Sequence, residues 1–232
     1  AEVIPKGLSR ELDPAASWLE GDIVAIDFEA TGANPQKDHI IEIGWAVIRK
    51  GKVIEKRSVL VDPGQKISDE VSELTGINDD MIKYGDPANG LAPGRPLEEV
   101  LPMLNLYWEG LQPVAHNVGY DRSLLHAERA RLIRDGKITE PKKWAIALDP
   151  EADWIDTLRV VRRLMPKSEA MQDHRLGTLV ENLGIKLESW HRAGDDAVAA
   201  GKILLTVGKR RMSKMSWEDL YAFQNMSPKE FN

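Results

Sequence analysis

The chain has 232 residues, 42% hydrophobic and 29% charged, with 37 acidic and 31 basic side chains, a net charge of −6 and no cysteine. The apolar share is enough for a buried core and excludes a wholly disordered chain, and no apolar run approaches the about 18–20 residues of a spanning helix. The missing cysteines exclude disulfides, thiolate metal sites and cysteine nucleophiles and fit a reducing compartment, while the negative balance argues against coating nucleic acid by charge alone.

Before Asp22 the chain reads as an amphipathic lead-in with Leu12, Trp18 and Leu19, and Ala1 to Arg10 lacks the apolar stretch of a secretory signal. A cytoplasmic location is therefore expected. Asp22 to Ala30 is a short apolar run ended by Thr31-Gly32, the pattern of a buried strand and a turn. His39–Ile48 is a second β-branched run, with Gly51-Lys52 as a hairpin turn into Val53–Val61. Ser68 opens a helix that Gly76 stops. Tyr84 to Pro96 holds three glycines and three prolines and reads as an exposed loop.

Leu97–Trp108 has helical spacing, Pro113–His116 is a short strand, and Tyr120–Arg134 is a charged amphipathic helix. Asp135–Asp153 is polar and punctuated by proline, as an insertion would be. Trp154–Thr157 ends a strand and starts the helix Leu158–Leu164; Leu176–Leu183 and Ala197–Val207 are further helices, and Trp217–Phe223 is one in the tail. Three strands in a block, followed by alternation with helices, predict one α/β domain with a mixed sheet. Its expected bounds are 22–208, between a lead-in over 1–21 and a tail over 209–232.

Asp27 and Glu29 are two apart in the first strand, so period-two geometry turns both to one face and Phe28 to the other, apolar one. Two like charges in an apolar strand are costly unless something pairs with them. A hard divalent cation is a suitable partner, although an isolated Asp-x-Glu is more often a solvated strand end. Asp121 falls in the first turn of a helix, where capping alone would also select an acid. Asp195 and Asp196 are adjacent near the last core helix, so they point different ways, and His191 stands just before them.

Three segments carry a resemblance. Asp27-Phe-Glu-Ala-Thr-Gly32, Ala115-His-Asn-Val-Gly-Tyr-Asp121 and His191-Arg-Ala-Gly-Asp-Asp196 resemble the three motifs of the DEDDh family of 3′→5′ exonucleases, which includes the proofreading subunit of bacterial replicative polymerases. Asp38–Gly44, Leu74–Asn78 and Leu176–Ile185 resemble the family's linking text. The likeness runs from about Asp22 to Val207. It implies a ribonuclease H-like fold, an α/β mixed central sheet of about five strands flanked by helices. It implies that Asp27, Glu29, Asp121 and Asp196 hold two divalent cations, Mg²⁺ or Mn²⁺, with Asp27 bridging and His191 as general base. Phe28, Ala30, Thr31, His116 and Asn117 are placed beside the substrate, although parity reads Phe28 as core, where the family often has Thr.

The implied activity is metal-dependent hydrolysis at 3′ ends of single-stranded or frayed DNA, releasing nucleoside 5′-monophosphates. The rival substrate is RNA, and the rival class is a non-catalytic nucleic-acid or polymerase-binding module. A DNA polymerase is the partner implied by the proofreading branch, though Gln224–Phe231 contains no recognisable clamp-binding peptide. Glu42 reads only as a remote candidate for the site, and His39 and His174 have no constellation around them. The seven tryptophans are dispersed; Trp190, beside His191, is the one candidate to stack on a base, and packing in the core or at its rim is the favoured reading for it. The arginines at 129, 131 and 134, and the basic groups at 159–167 and 209–214, read as solvated helix faces.

Overall fold

The computed structural model describes residues 17–168, 171–187 and 192–227. Its strands are β1 (Asp22–Ala30), β2 (Ile40–Arg49), β3 (Lys52–Asp62), β4 (Arg95–Pro96), β5 (Gln112–Ala115) and β6 (Ile155–Asp156), joined in one sheet of order β4-β3-β2-β1-β5-β6. β2 runs antiparallel to both β1 and β3, whereas β5 is parallel to β1, β6 to β5 and β4 to β3. The sheet is mixed, as expected, with six strands rather than about five. The extra pairing is Val61 with Arg95 and Asp62 with Pro96, inside the segment expected to be loop. Two residues ending in proline are too few to show a strand period.

Between β2 and β3 the two turn residues are Lys50 (φ 48°) and Gly51 (φ 67°). Both have the positive φ of a type I′ hairpin turn, so the turn sits one residue earlier than expected.

β1 is apolar on both faces because both are covered. Val24, Ile26 and Phe28 join Ile43, Trp45 and Val47 beneath α3 (Leu97–Tyr107) and α4 (Val118–Arg134). Ile23 and Ala25 join Ala46 and Ile48 on the opposite face, beneath α7 (Ala193–Arg211), with α5 (Thr157–Leu164) and α8 (Trp217–Asn225) alongside. α6 (Leu176–Asn182) closes over α5 and α7. α1 (Asp69–Thr75) and α2 (Asp79–Tyr84) sit by a smaller cluster of Ile41, Leu60, Ile67, Ile77 and Ile82.

α7 approaches the sheet closely because the contact residues are small. A Cβ on Gly44 would lie 1.9 Å from the carbonyl carbon of Ala193, and one on Gly201 would lie 2.4 Å from Ile48. The helix begins at Ala193, four residues before the expected start, so Asp195 and Asp196 lie in its first turn.

Three segments read as peripheral are packed in. In the stretch expected as an insertion, Ala145, Ala147 and Leu148 are buried, and the Ala145 amide donates to Asn105 Oδ1 of α3 at 2.7 Å. The apolar run Trp144–Leu148 is too short to supply a periodic signal. Trp18 donates from its indole nitrogen to the Met212 carbonyl at 2.7 Å, and Trp217 and Leu220 are buried beside it. The amide oxygen of Gln224 accepts from the Asp156 amide (2.8 Å) and its nitrogen donates to the Trp154 carbonyl (3.0 Å), so α8 caps the open edge of β6.

Candidate active site

The sheet order reverses at β1: the chain runs outward to β2 and β3 on one side, then to β5 and β6 on the other. The carboxyl ends of β1 and β5 meet at that switch point, where open α/β sheets place their ligands. Asp27 and Glu29 lie at that end of β1, on the face covered by α7. Glu29 stands directly across from Glu42 of β2, and Asp27 from Gly44. The bare Gly44 lets the first turn of α7 settle over the strands. Carboxylate oxygens of Asp27, Glu29 and Asp196 consequently lie within 4.8 Å of one another. Asp195, the adjacent acid, turns away and accepts from Lys56 at 2.9 Å.

Asp121 reaches the same region from the first turn of α4, where it is buried. The turn before it is sharp, with Asn117 at φ 67°. That conformation is supported by Asp156, whose carboxylate accepts from the Asn117 amide (3.1 Å) and caps α5 through the Leu158 amide (2.9 Å). Sequence reasoning placed Asp156 only at a strand end.

The acids hold their protons strongly. Burial, followed by the charges of Asp121, Asp196, Glu29 and Glu42, lifts Asp27 well above the usual carboxylate range. Burial, then Asp196 and Glu42, pushes Glu29 up to about 8 against the pull of Arg192. Burial, then Glu29, also brings Asp121 to about 8, while backbone hydrogen bonds from its own amide and that of Phe28 oppose the shift. Too many carboxylates share too little water to ionise together.

Glu42 is fully buried and ion-paired. The Nε of Arg192 donates to both of its oxygens at 3.3 Å, Nη2 donates to Oε1 at 3.2 Å, and Nη1 reaches Asp86 at 2.8 Å. Arg192 immediately precedes α7, so this fork fastens the helix start to β2 and to the loop after α2. The weak reading of Glu42 from sequence is thereby corrected. Its strand parity did not by itself place it at the site, and nothing local named Arg192 as its partner.

The expected substrate residues divide. Phe28 is 6% exposed and its side chain belongs to the core opposite the carboxylates. The expected substrate contact through that side chain is therefore replaced by packing, as strand parity requires. His116 has both ring nitrogens engaged, Nδ1 with Thr157 Oγ1 and Nε2 with the His174 carbonyl, each at 2.8 Å, which makes it a structural tie. Thr31 accepts from the His39 amide (2.9 Å) and donates to Asp38 (3.3 Å), ordering the turn after β1. Tyr120 donates to the Gly32 carbonyl and ties α4 to the same turn. Ala30 is half-buried and Asn117 exposed, both near the acids in sequence. His191 and Trp190 lie outside the described residues. His39 and His174 also have partners: His39 meets Glu128 at 3.1 Å and His174 meets the Met165 carbonyl at 2.7 Å.

The donor set is one of hard oxygens, suited to Mg²⁺ or Mn²⁺. A divalent cation would take the place of the protons that mutual repulsion now retains.

The family model described as exonuclease (RNase_T) matches residues 24–204. The PolC-type DNA polymerase III of Thermotoga petrophila is 32% identical over 196 residues, covering 84% of this chain and 12% of the polymerase. That of Caldanaerobacter subterraneus is 32% identical over 203 residues, covering 88% and 13%. The chain thus spans about an eighth of the length of the curated relatives it matches. Among solved structures, Exonuclease X in complex with 5′ overhanging duplex DNA superposes with a TM-score of 0.61 at 22% identity, covering 88% of this chain and 99% of that one. Exonuclease I of E. coli with a dT13 oligonucleotide gives 0.59 at 18% identity, covering 82% and 42%. These structural likenesses show the fold. No helix among the described residues is long and apolar enough to cross a membrane.

Proposed function

Because the chain belongs to the exonuclease (RNase_T) family, and so to the nuclease hydrolases, we propose that it is a metal-dependent 3′→5′ exonuclease acting on single-stranded or frayed DNA ends. The observation that carries this reading is the convergence of Asp27, Glu29 and Asp196 from two distant segments, at a separation one cation could bridge. The raised proton affinity of Asp27 and Glu29 supports it, since acids crowded together out of water are the ones a cation stabilises.

Two divalent cations bound there would neutralise charge on the attacking and leaving oxygens of an in-line displacement. Asp27, Glu29 and Asp196 provide the oxygens that hold them, and Asp121 completes the set from α4. His191 accepts a proton from the attacking water, a task suited to an imidazole with an ordinary pKa of about 6.5. The new bond joins the water oxygen to phosphorus. The bond to the 3′-oxygen of the preceding nucleotide breaks, and that oxygen leaves with a proton from solvent. The products are a nucleoside 5′-monophosphate and a strand one residue shorter. Asp156 and Phe28 act at a distance, setting the turn and the amide that aim Asp121.

DNA is favoured over RNA because the relatives at 31–32% identity are DNA polymerases. By the same relation a DNA polymerase is the proposed partner and proofreading the proposed context. The test is a 3′-end degradation assay on 5′-labelled single-stranded DNA and matched RNA, with Mg²⁺, Mn²⁺ or EDTA, beside Asp27→Ala. A ladder that shortens from the 3′ end, needs metal and vanishes in the variant is expected. A faster RNA ladder would reassign the substrate, and no cleavage of either would refute the reading.

A further inference from the structure

A groove of about 550 Å³ runs along the outward face of α4, on the helix that carries Asp121. Gln36, Arg122, Ser123, His126, Arg131 and Arg134 line it, and no carboxylate does. In a chain of net charge −6 that is a local inversion of sign.

Two of these side chains are held short of partners. Both ring nitrogens of His126 are shielded from solvent and without a hydrogen-bond partner among the described residues, and so is the Nε of Arg122. Arg122 spends one Nη2 hydrogen bond on the Pro150 carbonyl at 2.7 Å, and no carboxylate pairs with it among the described residues. Asp149 is the acid whose field reaches His126, where it is outweighed by burial and by the charges of Arg122 and Arg129. Among the described residues Arg134 pairs only with its exposed neighbour Asp135, a contact worth little in water. Arg131 is already used by Glu128 and by the carbonyls of Pro35 and Asp38, so it shapes the groove rather than offering a free charge. A guanidinium with no carboxylate partner, in a groove lined by further arginines and no acid, calls for an anionic ligand.

We propose that this groove binds phosphates of a nucleic-acid strand at a distance from the scissile bond. The inference rests on the exonuclease reading for its ligand class. From Arg122 to Arg134 the helix rises about 18 Å, roughly the run of five nucleotides of one B-form strand. Strands long enough to follow the helix gain contacts that a dinucleotide lacks. Arg122 and Arg134 supply the charge, at the two ends of the groove.

The test is the double variant Arg122→Gln/Arg134→Gln, followed by fluorescence anisotropy with a single strand of about 15 nucleotides in EDTA across a salt series. Binding about tenfold weaker than wild type is expected, with the salt slope shallower by about one to two. Cleavage of a dinucleotide in Mn²⁺ should be unchanged. Wild-type affinity and slope in the variant would overturn the groove, and so would a wild-type protein that binds no strand at low salt. The exonuclease reading fails differently: the wild type would bind the strand with its full salt slope yet cleave neither substrate. If the double variant does not fold, the exposed Arg134→Gln alone must still flatten the slope by about one, and an unchanged slope there also refutes the proposal.

Discussion

Glu29 and Glu42 face each other across β1 and β2, two carboxylates in direct register on the covered side of the sheet. Glu29 is left with its proton affinity raised to about 8, while Glu42 is engaged by Arg192. One member of the pair thus belongs to the acidic site and the other to the structure around it. The division depends on a single guanidinium.

Arg192→Met should therefore be severely destabilising. It leaves Glu42, which is fully buried, without its counter-charge, and stripping one partner from a buried pair costs about 3–5 kcal/mol. Adding Glu42→Gln should recover part of that loss. Urea unfolding of the two single variants and the double variant measures the coupling, and additive effects would show that the pair does not act as a unit.

The acidic cluster makes metal-free stability fall as pH rises. Glu29 and Asp121 start from ordinary values of 4.5 and 3.8 in the unfolded chain and reach about 8 in the fold. Between those limits the folded protein holds protons that the unfolded chain releases, so each unit of pH costs stability, and the loss levels off above about pH 8. Saturating Mn²⁺ should flatten the profile by replacing the protons. Urea midpoints across that range, with EDTA and with Mn²⁺, test this. A metal-free midpoint that rises with pH would contradict the cluster's electrostatics.

Gly44→Ala probes the approach of α7. The added methyl would lie 1.9 Å from the Ala193 carbonyl carbon and 2.1 Å from the Gly194 nitrogen, both backbone atoms. The helix start must shift and carry Asp196 away from Asp27 and Glu29. A stability loss of about 1–3 kcal/mol together with weaker Mn²⁺ binding by calorimetry is expected. Unchanged metal affinity would mean that the helix start does not set the position of Asp196.

His191→Ala should retain Mn²⁺ binding and lose about 10²–10⁴-fold in kcat, the usual contribution of a general base. Wild-type turnover in that variant would remove His191 from the mechanism and leave the carboxylate assignments intact.

Local pattern made much of the site legible. Alternation along β1 separated Asp27 and Glu29 from Phe28, and the structure has Phe28 in the opposite core layer. A helix start after β5 placed Asp121 in its first turn, and adjacency required Asp195 and Asp196 to diverge. The Asp156 support for Asn117 was illegible, because a capping acid looks the same whether or not it also holds a distant turn. β4 was missed because two residues display no period, and the packed stretch Trp144–Leu148 was missed because one five-residue apolar run between charged flanks is too short to show one.

By itself, then, the sequence determined which side chains share a face, where most helices lie to within a turn and which acids stand near strand ends. These follow from periods of two and 3.6 residues and from capping, all of which act within a few positions along the chain. Tertiary structure alone decided that Asp196 meets Asp27, 169 positions earlier in the chain, that Arg192 finds Glu42, 150 positions away, and that burial and neighbouring charge raise the proton affinity of Asp27, Glu29 and Asp121. Desolvation and Coulomb interaction depend on distance through space, and the close seating of α7 on Gly44 sets those distances.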